Sequence, residues 1–211
     1  MKEEKPASLK AEIANSLSHG FGILFAVIAS PLLISLATKN NNDSFVFAVA
    51  FYSFTMLLVF TTSTLYHAFD NPKVKKTLRM FDHISIFFLI GGSYVPFVVK
   101  YTPNNTAVWF LSIQWTLIAL GIIKKIFFTG KFRLLSSLIY IFIGSMVVFL
   151  GTDFWHSIPQ KAIYFILAGG LSYLIGVIFY QNRKIPYNHF IWHMFVLAAA
   201  ILHWVGVLVI L

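Results

Sequence analysis

The sequence predicts an all-α membrane protein: a bundle of seven transmembrane helices, N-terminus cytoplasmic and C-terminus outside. Three observations carry that expectation. The 211 residues are 58% hydrophobic and only 11% charged, where a soluble domain carries about 25% charged residues. Apolar runs of the roughly 17–25 residues that cross a bilayer occur seven times, over 16–38, 44–69, 80–100, 106–128, 133–151, 160–181 and 188–211. Lysine and arginine gather in alternate gaps, thirteen on one side against three on the other. The richer side faces the cytoplasm by the positive-inside rule.

Taken in order, residues 1–15 read as a cytoplasmic N-terminal interfacial segment and 16–211 as one seven-helix membrane domain. The first run is long and has no clear small-residue cleavage site, so it is a span rather than a signal peptide. It is preceded by "AEIANSLSHGFG", with Glu12, Asn15 and His19 at or near the cytoplasmic face. The gap "TKNNNDS" leads to the second span, which runs inward and ends "TTSTLYHAFD". After "DNPKVKK" the third begins "RMFDHISIFF" and contains Gly91, Gly92 and Pro96. These glycines, with Gly144, Gly169 and Gly170, read as close helix packing, and Pro96 as a kink. "YTPNN", "TGKF", "GTDFWHSIPQ" and "QNRKIPYN" are the remaining turns. The last span opens with "NHFIWHMF". The net charge of +9 sits mostly in these gaps. It therefore suits topology and an anionic leaflet rather than nucleic acid. There is no cysteine, which removes disulfides and thiolate metal sites. No internal repeat is evident, and a transporter reading loses support with it.

Ionisable residues inside a membrane are costly, so their positions are informative. By the expected orientation, Ser63 and His67, Asp82 and His83, and His189 and His193 all lie near the cytoplasmic end of their spans. With Glu12, Asn15 and His19 at the same face, four stretches distant in sequence bring polar residues to one depth. His189 and His193 stand at i and i+4 on one helical face, roughly 6 Å apart at Cβ. A catalytic zinc commonly takes three protein ligands and keeps one open position. The pair supplies two, and His67 is the best third by depth. Asp82 is then placed as general base or fourth ligand. Ser63, one turn deeper than His67, is placed to orient a water or a substrate carbonyl. A 2-His-1-carboxylate iron site fits the same residue types.

Plainer readings exist for each. An H-x3-H pair alone is commonly an interfacial hydrogen-bonding pair, and a lone membrane serine a packing residue. Asp82 at a helix start suits a cap. Glu12, Asn15 and His19 share a face that suits the polar side of an interfacial helix. His83 points about 100° away from Asp82. His156 falls in an outer loop and is expected to be solvated. His203 lies about 15 Å beyond His193 along the helix and is expected to hydrogen-bond between helices.

The motifs "EIANSLSHG" (E-x2-N-x3-H), "STLYH" (S-x3-H) followed by "FDHISIFFLIGGSYVPF", and "HFIWHMFVLAAAILHW" (H-x3-H) occur in that order across the spans. With them the chain, from Glu12 to its end, resembles the hemolysin III family, the bacterial branch of the progestin and adiponectin receptor superfamily. The resemblance implies a zinc ion held by His67, His189 and His193, with Asp82 contacting its water and Ser63 in the serine's place. It also implies kinship with membrane metal-dependent hydrolases and ceramidase-like receptors. The loop between His67 and Asp82 is about two residues shorter than in the receptors, so the Asp82 match leans on "GGSYVPF". The receptors' long N-terminal domain has no counterpart, so adiponectin binding is not expected.

The expectation is therefore a multi-pass protein of the cell (plasma or inner) membrane, a zinc-dependent hydrolase of a lipid amide or ester. Alternatives are a non-enzymatic sensor with a structural zinc, and a lytic or pore-forming protein of the hemolysin III type. The polar residues gather at one end rather than in a stripe, which disfavours a pore.

Overall fold

Helix boundaries follow capping residues rather than the ends of the apolar runs. A computed structural model of the protein describes residues 8–211, and among these there is no β-strand. Helix α1 spans Leu9–Ala37, starting where the Ser8 side chain accepts a hydrogen bond from the Ala11 N–H at 3.3 Å. It begins ahead of the first apolar run because a cap followed by the helix formers Leu9, Lys10, Ala11 and Glu12 needs no apolar sequence. Asn42 caps α2 (Asp43–Ala68) through the Phe45 N–H at 3.1 Å. Asn71 accepts from the N–H groups of Lys73 and Val74, and Pro72 sits in the first turn of α3 (Pro72–Tyr101). That cap and proline draw the expected loop "DNPKVKK" into the helix. Asp82 therefore lies well inside α3, and an N-cap role for it is overturned.

Helix α4 spans Asn104–Phe128. The expected fifth span is not one helix: α5 (Arg133–Gly144) passes through a 3-10 turn at Met146–Leu150 into a short α6 (Gly151–Ser157). The segment "GTDFWHSIPQ", expected as a loop, thus holds a helix, on which His156 is exposed. Helices α7 (Gln160–Gln181) and α8 (Asn188–Val209) complete the chain. Counting α5 to α6 as one, seven segments are long and apolar enough to cross a membrane. Large apolar side chains such as Phe21, Ile28, Trp109, Phe127, Phe149 and Ile178 are well exposed on the outside. In water they would be a liability; against lipid tails they are matched.

α1 packs on α2, α2 on α3 and α7 on α8, and α8 returns to α1. One core lies among α1, α2 and α8 around Leu33, Tyr52, Met56 and Phe60; a second joins α3, α4 and α5 around Phe87, Tyr94, Phe110 and Ile118. Close approach uses the expected glycines in part. A Cβ at Gly91 would stand 2.7 Å from Ile118, and one at Gly92 or Gly169 would collide with Thr55 or His203. Gly144 and Gly170 meet nothing within 4 Å. They are not packing contacts: both border a cavity of about 430 Å³ between the helices that opens to the outside, and Gly144 is exposed.

Candidate metal centre

The end of α2, the start of α8 and the early turns of α1 and α3 meet at one end of the bundle. The turn before α8 is fixed locally. Tyr187 takes a left-handed backbone (φ 54°), and the Asn188 side chain donates to the Phe179 and Tyr180 carbonyls at 3.2 and 3.3 Å. Those bonds satisfy carbonyls left open at the end of α7 and set the phase in which α8 presents His189 and His193.

The three predicted histidines come together. One imidazole nitrogen from each of His67, His189 and His193 lies within 4.8 Å of the others. His67 Nε2 and His189 Nε2 are 3.2 Å apart. Their neighbours settle which nitrogens face that point. His67 Nδ1 lies 2.6 Å from the Glu12 carboxylate, so it carries the proton and donates. Glu12 is held on its other oxygen by Lys75 at 3.1 Å. His193 Nδ1 lies 3.1 Å from the Asn15 carbonyl and 3.0 Å from Ser18 Oγ. Ser18 already donates to that carbonyl at 2.7 Å, so His193 Nδ1 also carries a proton. Both rings then turn an unprotonated Nε2 inward, a tautomer assignment made from the network. Ring nitrogens held this way by carboxylate or carbonyl are typical of metal-ligating histidines.

The donor set fits zinc. With Zn–N near 2.05 Å and tetrahedral angles, two ligand nitrogens stand about 3.3 Å apart, against the observed 3.2 Å. Neutral imidazole suits zinc, copper, iron or nickel, so the ligands alone do not choose among them.

Asp82 and Ser63 line the cavity next to these rings, as do His189 and His193. Asp82 is mostly buried. Its carboxylate faces the Ser63 side chain and feels the charges of His67, Lys125 and Arg79. Ser63 Oγ is buried without a hydrogen-bond partner. Ser63 Oγ stands beside the carboxylate without a close hydrogen bond, and a group between the two would satisfy both. His83 donates from Nδ1 to the Arg79 carbonyl at 2.6 Å, away from the three histidines.

Comparison with known proteins identifies the family. The family model for haemolysin-III related proteins matches residues 7–204. The chain belongs to the haemolysin III family. It is 38% identical to hemolysin-3 of Bacillus cereus over 91% of this chain and 88% of that one. It is 34% identical to the hemolysin-3 homolog of Bacillus subtilis, over 92% and 91%. Human monocyte to macrophage differentiation factor is 28% identical over 92% of this chain and 82% of its own. No solved structure matches. Membership of this family and the seven apolar helices make the chain a multi-pass membrane protein.

Several residues of the site were missed or misread from sequence. Glu12, Asn15 and His19 do share a face, but it points into the bundle rather than to an interface. His19 stacks on His193 with ring centroids 3.7 Å apart and planes 12° apart, and meets Phe60 edge-on. Both its nitrogens are buried without a partner. The E-x2-N-x3-H spacing was the available signal. Ser18 left no such trace, because its partner is 175 residues away. Lys125, counted with the basic residues that mark the cytoplasmic side, is in α4 and only 4% exposed.

Proposed function

We propose that this haemolysin III protein is an integral-membrane, zinc-dependent hydrolase of lipid amides or esters. The observation that carries the reading is the meeting of one imidazole nitrogen from each of His67, His189 and His193, with Asp82 and Ser63 at the wall of the same largely apolar cavity. When bound by His67, His189 and His193, zinc supplies Lewis acidity and brings the pKa of a water near 7. Glu12 and the Asn15 carbonyl orient two of the rings, so the ligand lone pairs are aimed before any metal arrives. Asp82 accepts a proton from the attacking water at a carboxylate oxygen and returns it to the leaving amine or alkoxide. Ser63 donates a hydrogen bond from its hydroxyl to the substrate carbonyl or to the water. Walls such as Ile86, Leu89 and Val196 exclude bulk water and receive an acyl chain. Charge distribution favours the cell membrane, with the histidine end in the cytoplasm.

Metal content of the purified protein is the first test, compared with a His189→Ala/His193→Ala double variant. Zinc in the wild type and its loss in the variant are expected. A panel of lipid amides and esters follows, and turnover independent of metal or of Asp82 overturns the hydrolase.

One observation favours a second reading, a structural zinc in a sensor. α2 and α8 have little backbone contact of their own, so a metal shared by His67 and the α8 pair would clamp them. In that case zinc removal lowers stability, while Asp82→Ala leaves function intact.

A further inference from the structure

The metal reading leaves one buried charge at the cavity unused. Lys125 is 4% exposed and lines the cavity, within electrostatic reach of Asp82. The two form no ion pair, and the contact recorded for its ammonium is the Tyr140 ring face, 5.5 Å away. An ammonium has three donors and no acceptor. Facing a largely apolar cavity, it is a ready partner for an anion that enters there. On α5, Ser137 lines the same cavity and accepts from Gln181 at 2.7 Å, which leaves its own hydroxyl proton to donate. Tyr140, one turn on, has spent its proton on the His83 carbonyl at 2.9 Å. Around this end of the cavity Arg79, Lys124 and Arg133 add positive charge, and Asp82 is the acid that faces Lys125. The remaining wall, through Ile90, Phe97 and Leu167, is apolar. Its volume of about 430 Å³ is in the range of small-molecule sites, about 300–1,000 Å³.

We propose that the cavity takes a lipid amphiphile with a carboxylate head, held by the Lys125 ammonium and the Ser137 hydroxyl, with its chain along the apolar wall. The inference deepens the lipid-hydrolase reading and rests on it for the kind of ligand. A long-chain N-acyl amino acid combines the two required groups: an amide for the metal layer and an acid for Lys125. The acid is a separate anchor from the metal site, because Lys125 and Ser137 come from α4 and α5 while the histidines come from α2 and α8.

Binding of N-palmitoylglycine and of the neutral N-palmitoylethanolamine to purified full-length protein, read by native mass spectrometry, tests this. One charge-assisted contact corresponds to roughly ten- to a hundredfold, so the acid is expected to bind at least about tenfold tighter. Lys125→Met should remove the preference while the neutral amide still binds, and Lys125→Arg should keep it. Ser137→Ala, which leaves the charge in place, should cost the acid several-fold, and it decides the matter if Lys125→Met binds neither ligand. The His189→Ala/His193→Ala protein should retain the preference. Equal binding by the wild type, no binding of either, a preference that survives Lys125→Met, or one lost with the histidines overturns the anchor. A preference that holds while neither lipid is hydrolysed overturns the hydrolase and leaves the anchor standing.

Discussion

Helix α8 carries two buried histidines in very different company. His203 gives its Nε2 proton to the Ile166 carbonyl at 3.2 Å and fills the space over Gly169. It fastens α8 to α7, as expected for a histidine between helices. His193, nearer the other end, is fastened too, through Nδ1 to the Asn15 carbonyl at 3.1 Å. Its second nitrogen, however, faces the nitrogens of His67 and His189. Burial is common to both. The difference is that neighbours satisfy one nitrogen of His193 and aim the other at further lone pairs. The 3.2 Å between His67 Nε2 and His189 Nε2 suits a shared proton as well as a shared cation. A candidate metal site is thus recognised by what surrounds the second nitrogen, not by the histidine or its depth.

The contrast can be broken most directly at the ligands. His67→Ala should take zinc from about one per chain, the stoichiometry of a three-ligand site, to near none, measured by mass spectrometry of purified protein. His203→Ala should leave it unchanged. If both variants kept zinc, the site would lie elsewhere. Next in size is Glu12. Removing a carboxylate that orients a ligand imidazole costs typically 10–100-fold in metal affinity. Glu12→Ala should show that loss in chelator competition, and Glu12→Gln, which keeps an acceptor, a smaller one.

Chelation sharpens the comparison through stability. A bound metal at a hundred times its Kd stabilises by about 2.7 kcal/mol. A strong chelator should therefore lower the melting temperature of the wild type and of a His203 variant, but not of the His189→Ala/His193→Ala protein. The smallest effect belongs to the His203 end. Gly169→Ala drives a methyl into the His203 ring, and overpacking of this kind costs about 1–3 kcal/mol. Gly170→Ala, in open space, should change stability by no more than about 0.5 kcal/mol. Neither should alter metal content; a loss of zinc in Gly169→Ala would mean the two ends of α8 are coupled.

Much of the candidate site was legible. His67, His189, His193, Asp82 and Ser63 stood out because polar groups in apolar spans are expensive. The expected orientation placed them at one depth. The face of Glu12, Asn15 and His19 was visible as a face, but spacing along one helix does not say what the face meets. Lys125 was misread because a lysine near a loop looks the same in sequence whether its ammonium reaches water or turns inward.

Length, composition and apolar runs by themselves determined a seven-span helical membrane protein, because a backbone in lipid must satisfy its hydrogen bonds within helices. They determined the helix type without fixing the ends: caps at Ser8, Asn42 and Asn71 did that. Tertiary structure alone decided that Glu12 holds His67, that the Asn15 carbonyl and Ser18 hold His193, and that Lys125 faces the cavity. These depend on how helices rotate against one another. Rotation is set by side-chain packing among groups far apart in the chain, such as the Gly92–Thr55 and Gly169–His203 contacts, and no local sequence pattern encodes it.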